Sequence, residues 1–368
     1  MSRSASTLPE AAVAIVGGGI IGLSIAWQLA RLRPEGNAWR VAVIEKNLIG
    51  EEASWAGAGM LSPGGEVEGP SLLAELAMKS RESYGQYVLD LEQGSGLAID
   101  YQECGALEIA YSADELQFLE ERAKRRENIG IQSKPVSVPQ IAAFWPRVRS
   151  EGRAGGRFFP KDAIVNPREV VVALATACRK LGVSIVQNCA VARIEIARNA
   201  ARVHTASSSA DYAAAVIAAG AWSSEIAVKG VAPIPAAEPV RGHLIGFQQP
   251  EQTCSTIVRH GDTYLLQRAN GLLIAGSSIE HVGFDREVRP DIATGLRAQA
   301  AFVFPHLGET TPTETWVGFR PASDAIHIEA WHSERLYLAY GHYRNGILLA
   351  PITAKMIAAA IDANLQTR

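Results

Sequence analysis

Three glycines with the spacing G-x-G-x-x-G, Gly17, Gly19 and Gly22, could seat the pyrophosphate of a dinucleotide. With no Cβ in the way, backbone N–H groups and the N-terminus of a following helix can approach two phosphates closely. Glu45 stands 23 residues beyond Gly22, at the end of the next apolar run, where a carboxylate accepts hydrogen bonds from ribose hydroxyls. The plainer alternative is a tight structural turn with a surface glutamate, and the agreement of strand, glycines and acidic residue argues against it. Nicotinamide and flavin dinucleotides share this fingerprint, so at this point an NAD-dependent dehydrogenase and a flavoprotein are both open.

Other chemistries find less support. Cys104, Cys178, Cys189 and Cys254 stand far apart with no C-x-x-C spacing, which suggests reduced thiols of a cytoplasmic protein rather than a disulfide framework or a zinc site. The eight histidines include no H-E-x-x-H pair, so no metal is expected. A formal net charge of −3 without a run of lysines or arginines lacks the basic footprint of a phosphate-backbone binder, so no nucleic-acid partner is expected either.

The glycine turn needs a strand before it and a helix after it, and the sequence supplies both. Val13-Ala14-Ile15-Val16 reads as a buried parallel strand, a helix is predicted from Ile20 to about Leu32, and Val41-Ala42-Val43-Ile44 completes a βαβ unit. Residues 11–30 approach the roughly twenty apolar residues that span a bilayer, but Gly17, Gly18 and Gly19 interrupt them and no transmembrane segment is expected. Residues 1–10 lack the charged n-region and cleavage signal of a secretory leader and are expected to be a flexible tail.

Further on, Leu72, Leu73, Leu76, Tyr87, Val88 and Leu91 recur at helical spacing, and Ser112 with Glu115 forms a capping-box signal for a helix through Arg126. Asn166-Pro167-Arg168-Glu169 opens a helix with an N-cap, a proline at N1 and a reciprocal glutamate; Gly182 closes it and a strand over 183–186 follows. Residues 190–195 and 202–205 read as a small meander, and Ala215-Val216-Ile217-Ala218-Ala219 as another buried strand ending at Gly220. From Val240 to Ser278 short strands succeed one another without helices, the pattern of an antiparallel sheet in a second domain. A strand over 335–340, a loop over 341–346 and a helix over 350–361 return the chain to α/β order.

Five segments then decide between the cofactors. They are the Gly-Gly-Gly-Ile-Ile-Gly turn, Ala56-Gly57-Ala58-Gly59-Met60-Leu61, Gly220-Ala221-Trp222-Ser223, Gly318-Phe319-Arg320-Pro321, and Gly341-His342-Tyr343-Arg344-Asn345-Gly346. Carrying all five, the chain resembles the D-amino-acid oxidase family of FAD-dependent oxidoreductases over essentially its whole length, and most closely the glycine oxidases of the bacterial thiamine pathway. The resemblance implies an α/β fold with a Rossmann-like FAD-binding domain built on a parallel sheet and a second α+β substrate domain built on an antiparallel sheet. The FAD-binding domain is expected over residues 11–90, 150–232 and 315–368, and the substrate domain over 91–149 and 233–314.

Residue by residue, the resemblance implies that Ile20, Ile21, Glu45 and Lys46 hold the adenosine diphosphate half, with Val191 on the adenine side. Ala53, Ser54, Ala58, Gly59 and Met60 would lie along the flavin, and the loop His342, Tyr343, Arg344, Asn345, Gly346, Ile347 and Leu348 would wrap its ring. Gly220 and Trp222 belong to the same cofactor set. No cysteine stands in that loop, so FAD is expected to be non-covalent. Arg320, Arg344 and Tyr264, the last in Tyr264-Leu265-Leu266-Gln267-Arg268, would clamp the carboxylate of a small amino acid, with Ile279 shaping the wall beside Cα.

The implied reaction is hydride transfer from Cα to flavin N5, hydrolysis of the imine to a 2-oxo acid and ammonia, and reoxidation by molecular oxygen to hydrogen peroxide. Glycine, sarcosine and small D-amino acids are the substrates in view, and a homo-oligomer is expected. Two rivals stay open: a flavin D-amino-acid or glycine dehydrogenase with another electron acceptor, and a non-catalytic FAD-binding protein. The sequence departs from the glycine oxidases at Asp262 and Ile279, where they tend to carry histidine and methionine, and at Ala322-Ser323-Asp324-Ala325-Ile326-His327-Ile328-Glu329, which replaces a proline-rich run.

Overall fold

Four apolar residues, Val13–Val16, all buried, form strand β1 and stop at Gly17. In the computed structural model, which describes residues 8–32 and 40–367, helix Ile20–Leu32 (α1) follows and strand Val41–Ile44 (β2) lies parallel to β1. Helices Leu72–Ser95 (α2) and Pro167–Lys180 (α3) come next, then strands Ser184–Val186 (β3) and Ala214–Ile217 (β4). Asn166 caps α3 through Arg168 N, but Glu169 does not close the expected box; its carboxylate accepts Asp100 N at 2.6 Å instead.

The chain next builds Glu238–Gln248 (β5), Ile257–His260 (β6), Thr263–Gln267 (β7), Leu272–Gly276 (β8) and Glu314–Ala322 (β9). It returns through His327–Ala330 (β10) and Leu336–Tyr340 (β11) to the last helix, Gly346–Gln366 (α4). The first sheet runs β10-β11-β4-β1-β2-β3 and is parallel except for β10. Apolar faces of α1, α2 and α4 cover one side, and the small sheet that carries Ile194, Val203 and Tyr212 covers the other. From β1, later strands are added on both sides, so a crevice opens at the carboxyl ends of β1 and β4, where open α/β sheets place ligands.

The second sheet runs β9-β5-β8-β7-β6 and continues through strands Ala106–Ala110, Gly155–Phe159 and Lys134–Val136. It is antiparallel except where β6 meets Ala106–Ala110. Gly155–Phe159 and all of β9 but Glu314 fall in stretches expected in the FAD-binding domain. Pairing decides their place: β9 is in register with β5 from Glu238↔Ala322 to Gly246↔Glu314. The stretch 322–329 supplies most of the edge strand β10.

At the N-terminus, residues 1–7 of the expected tail lie outside the described residues, whereas Leu8 is buried in the core and the Tyr212 hydroxyl donates to Pro9 O at 3.1 Å. One helix among the described residues, α4, is long and apolar enough to cross a membrane, yet Leu348, Leu349, Ile357, Ala358 and Ile361 pack it into the protein core. It begins four residues earlier than expected, at Gly346, which leaves Pro351 inside it. Pro351 has no N–H to give Ile347 O, and the buried Tyr84 hydroxyl donates to that oxygen at 3.2 Å.

Candidate active site

A single cavity of about 350 Å³ runs from the end of β2 past the glycine turn to the edge of the second sheet. Gly17 opens it with φ +114°, a conformation that favours glycine, and a Cβ there would run into Ala218 O. The N–H groups of Gly17, Gly18 and Ile20 are used by Ile44 O, Glu45 Oε2 and Ser54 Oγ, at 2.9, 2.7 and 2.9 Å. Those of Gly19 and Ile21 have no protein acceptor among the described residues, and both residues line the cavity. Two unsatisfied donors at the N-terminus of a helix are what an anionic group needs.

Glu45 also accepts Asn47 N, at 2.8 Å, so its carboxylate ties the end of β2 to the glycine turn. Lys46 extends beside it, with Nζ 4.6 Å from the centre of the Trp222 ring and 3.6 Å from Glu225. Val191, Gly220 and Trp222 complete this end of the cavity. Its middle is walled by Ala53, Ser54, Ala58, Gly59 and Met60 on one side and by His342, Tyr343, Gly346 and Ile347 on the other. Arg268 donates to Gly57 O and Ala58 O and so fastens the first wall to the second sheet. His342 is held by Thr353 Oγ1 at 3.0 Å; burial brings its pKa down to about 4, so the ring is neutral.

At the far end stand Tyr264 from β7 and Arg320 from β9 of the second sheet, and Arg344 from the loop before α4. Arg320 Nη1 donates to Ser278 O and Arg241 O, at 3.0 and 3.3 Å, and Nη2 donates to Ser277 Oγ at 2.7 Å. Three of its five N–H groups are thus used, and two are left without a protein partner among the described residues. Burial pushes the Tyr264 phenol above its usual value, keeping it a neutral donor. Burial also pulls Arg320 below its usual value, although a guanidinium stays charged in proteins.

Four expected residues do not line this cavity. Gly22 packs against Gly17 O, Leu348 lies in the core with its carbonyl bonded to Ser80, and Asn345 faces a second cavity. Ile279 is about half exposed, because Ser278 and Glu280 both turn inward to His243 and the residue between them must face outward. Three residues that sequence reasoning missed help to build the site. Ser277 bridges Arg320 and Tyr264, and Gly242 leaves the space that the Arg320 guanidinium fills.

The third is Glu66, in the turn Pro63–Glu66, whose Oε1 lies 3.2 Å from Arg344 Nε. Burial raises its pKa against the pull of Arg344, Arg259, Arg320 and Arg126. Glu66 divides the main cavity from a second, polar one of about 130 Å³, and Met60, Tyr264 and Arg344 also line both.

A family model of FAD-dependent oxidoreductases (DAO) matches residues 12–360. The chain belongs to that family. FAD is therefore its cofactor, and the free N–H groups of Gly19 and Ile21, the Glu45 carboxylate and the largely apolar cavity wall fit a dinucleotide with a flat, fused ring. The chain is 30% identical to the glycine oxidase of Geobacillus kaustophilus over 95% of its own length and 92% of that protein's. It is 32% identical to a bifunctional ThiO/ThiG protein of Synechocystis sp., again over 95% of its length, but spans only 51% of that relative.

Among solved structures, the DAO-family fold matches the glycine oxidase of G. kaustophilus with a TM-score of 0.88 at 28% identity, covering 96% of this chain and 95% of that one. L-Proline dehydrogenase from P. horikoshii, at 20% identity and a TM-score of 0.84, shares the fold.

Proposed function

We propose that the chain oxidises glycine, sarcosine or similarly small D-amino acids to a 2-oxo acid, an amine or ammonia, and hydrogen peroxide. One observation carries this reading: a partly buried guanidinium, with two N–H groups unused among the described residues, stands beside a neutral phenol in the same cavity as the dinucleotide turn. A fork and a third donor are the complement of a carboxylate, which α-amino acids have and simple amines lack.

In this reading the adenosine diphosphate half of FAD is held by Gly17, Gly19, Ile20, Ile21, Glu45, Lys46 and Val191. The ring system is held between the Ala58-Gly59-Met60 wall and the His342-Tyr343 loop, with the N-terminus of α4 behind it. When bound, FAD supplies the hydride acceptor. The protein supplies orientation: Arg320 and Tyr264 fix the carboxylate, and a fixed carboxylate fixes the Cα–H bond. The first body, with its parallel sheet, would carry the cofactor and the second sheet the substrate. Curated glycine oxidases at 29–30% identity over nearly the whole chain favour small substrates.

The test is anaerobic mixing of the FAD-loaded protein with glycine, sarcosine, D-alanine and D-proline while flavin absorbance is followed. Bleaching by at least one is expected, and no bleaching by any would refute the reading. Peroxide formed under air, with and without an artificial acceptor, then separates an oxidase from a dehydrogenase.

A further inference from the structure

We infer that Glu66 binds the amino group of the substrate and takes one of its protons before Cα is oxidised; this rests on the reading of the chain as an amino-acid oxidase. The carboxylate is mostly buried, and among the described residues its one partner is Arg344 Nε, at 3.2 Å. A buried carboxylate takes up hydrogen-bond donors wherever it can. Here the open space beside it is the cavity that also holds Arg320 and Tyr264. A ligand whose carboxylate lies on those two residues and which carries N–H donors one carbon away satisfies both ends of the site.

At neutral pH the chemistry has a use for such a group. In neutral water an amino acid is a zwitterion, and an ammonium nitrogen has no lone pair to stabilise the cation left when Cα loses hydride. Transfer of one proton from ammonium to carboxylate leaves an amine with a lone pair and a carboxylic acid, with charge and atoms conserved. The hydride, with its electron pair, then leaves Cα for FAD, and the nitrogen lone pair becomes the C=N bond.

Burial brings the two pKa values together, since it raises a carboxylic acid and lowers an ammonium. Arg344, Arg320, Arg259 and Arg126 oppose the first shift and reinforce the second, and for Glu66 burial is the larger effect. Neutral Tyr264 faces it from β7, and Glu108 and Asp262 face it across the polar cavity. That cavity has room for several waters, a route by which the proton can leave.

The experiment measures flavin reduction by glycine and binding of acetate, an amine-free carboxylate, in FAD-loaded wild type, Glu66→Gln and Glu66→Asp from pH 5 to 10. Wild-type reduction should fall on acidification as the raised carboxylate protonates. Glu66→Gln should reduce the second-order rate constant at least tenfold at pH 7 and recover toward alkaline pH, where glycine arrives as the free amine. Acetate should bind that variant as tightly as wild type or tighter, because a negative charge has gone. Glu66→Asp should keep the wild-type profile shape at a lower rate.

The inference is overturned by an unchanged pH profile in Glu66→Gln, by equal weakening of glycine and acetate, or by a wild-type profile with no acid limb. Should Glu66→Gln lose FAD, the wild-type and Glu66→Asp profiles decide. A wild type bleached by no amino acid removes the amino-acid reading and this inference with it, whereas a bleached wild type with an unaltered Glu66→Gln removes only the role of Glu66.

Discussion

A methyl group on Gly242 tests the carboxylate clamp without changing a charge. Gly242 lies on β5 beside β9, and a Cβ there would come to 2.5 Å from Cζ of Arg320. Something must shift, and the guanidinium, at the end of a flexible side chain, is the part that can move. Gly242→Ala should therefore preserve the sheet and the FAD site while displacing Arg320 from Ser277 Oγ and Ser278 O. Losing one charge-assisted hydrogen bond to the substrate costs about 1.5–3 kcal/mol. At 1.4 kcal/mol per tenfold, that weakens amino-acid binding by roughly ten- to a hundredfold.

Arg320→Lys, which keeps the charge and loses the fork, should fall in the same range, and Arg320→Ala lower still. The assay is stopped-flow bleaching of fully FAD-loaded variants by glycine and by glycinamide, which keeps Cα and the amine but has no carboxylate. Glycine should suffer and glycinamide should not. Equal losses for both would show that Arg320 supports the fold or the flavin, and the clamp would have to be given up.

Glu45→Ala should weaken FAD retention by tenfold or more, because it removes the carboxylate bonded to Gly18 N and Asn47 N; a changed substrate Kd at full FAD occupancy would contradict this assignment. Acid precipitation should leave all FAD in the supernatant, since no cysteine lines the cavity among the described residues, and flavin remaining on the pellet would refute non-covalent binding. His342, buried with a pKa of about 4 against 6.5 unfolded, binds its proton first in the unfolded chain, so stability falls as pH drops from 6.5 toward 4. Between pH 7 and 5 the wild type should lose about 2 kcal/mol more than His342→Gln in urea unfolding of the holoenzyme, and equal losses would exclude the neutral ring.

The dinucleotide end was legible because its signals are local. β1 and β2 follow from short apolar runs and α1 from the glycine turn that precedes it, and their bounds match the structure. Where a signal depended on a distant partner, reading failed. The last helix was expected over 350–361 and begins at Gly346; Pro351 is tolerated inside it because Tyr84, far back in the chain, satisfies the carbonyl it orphans. Glu169 looks like a reciprocal cap until Asp100 N, far back in the chain, claims it. Ile279 was misplaced because the face a residue shows after β8 is set by Arg241 and His243 on β5, not by its own neighbours.

The clamp end depends on such long-range pairing throughout. Arg320 faces the cavity only because β9 is in register with β5, where Gly242 leaves room, and because the chain after β8 brings Ser277 to its Nη2. None of these spacings can be read along the sequence, and Glu66 sits in a Pro-Gly-Gly turn that announces nothing. Together, though, they leave a definite charge: two arginines and one glutamate, one positive charge in excess, beside a neutral tyrosine. In a site shielded from water an unmatched charge is costly, so the preferred ligand carries one negative charge at the carboxylate position and no second one. An amino acid with a neutral amine meets that condition. A zwitterion meets it once its proton has left the cavity, which ties the loss of a proton from nitrogen to the loss of hydride from carbon.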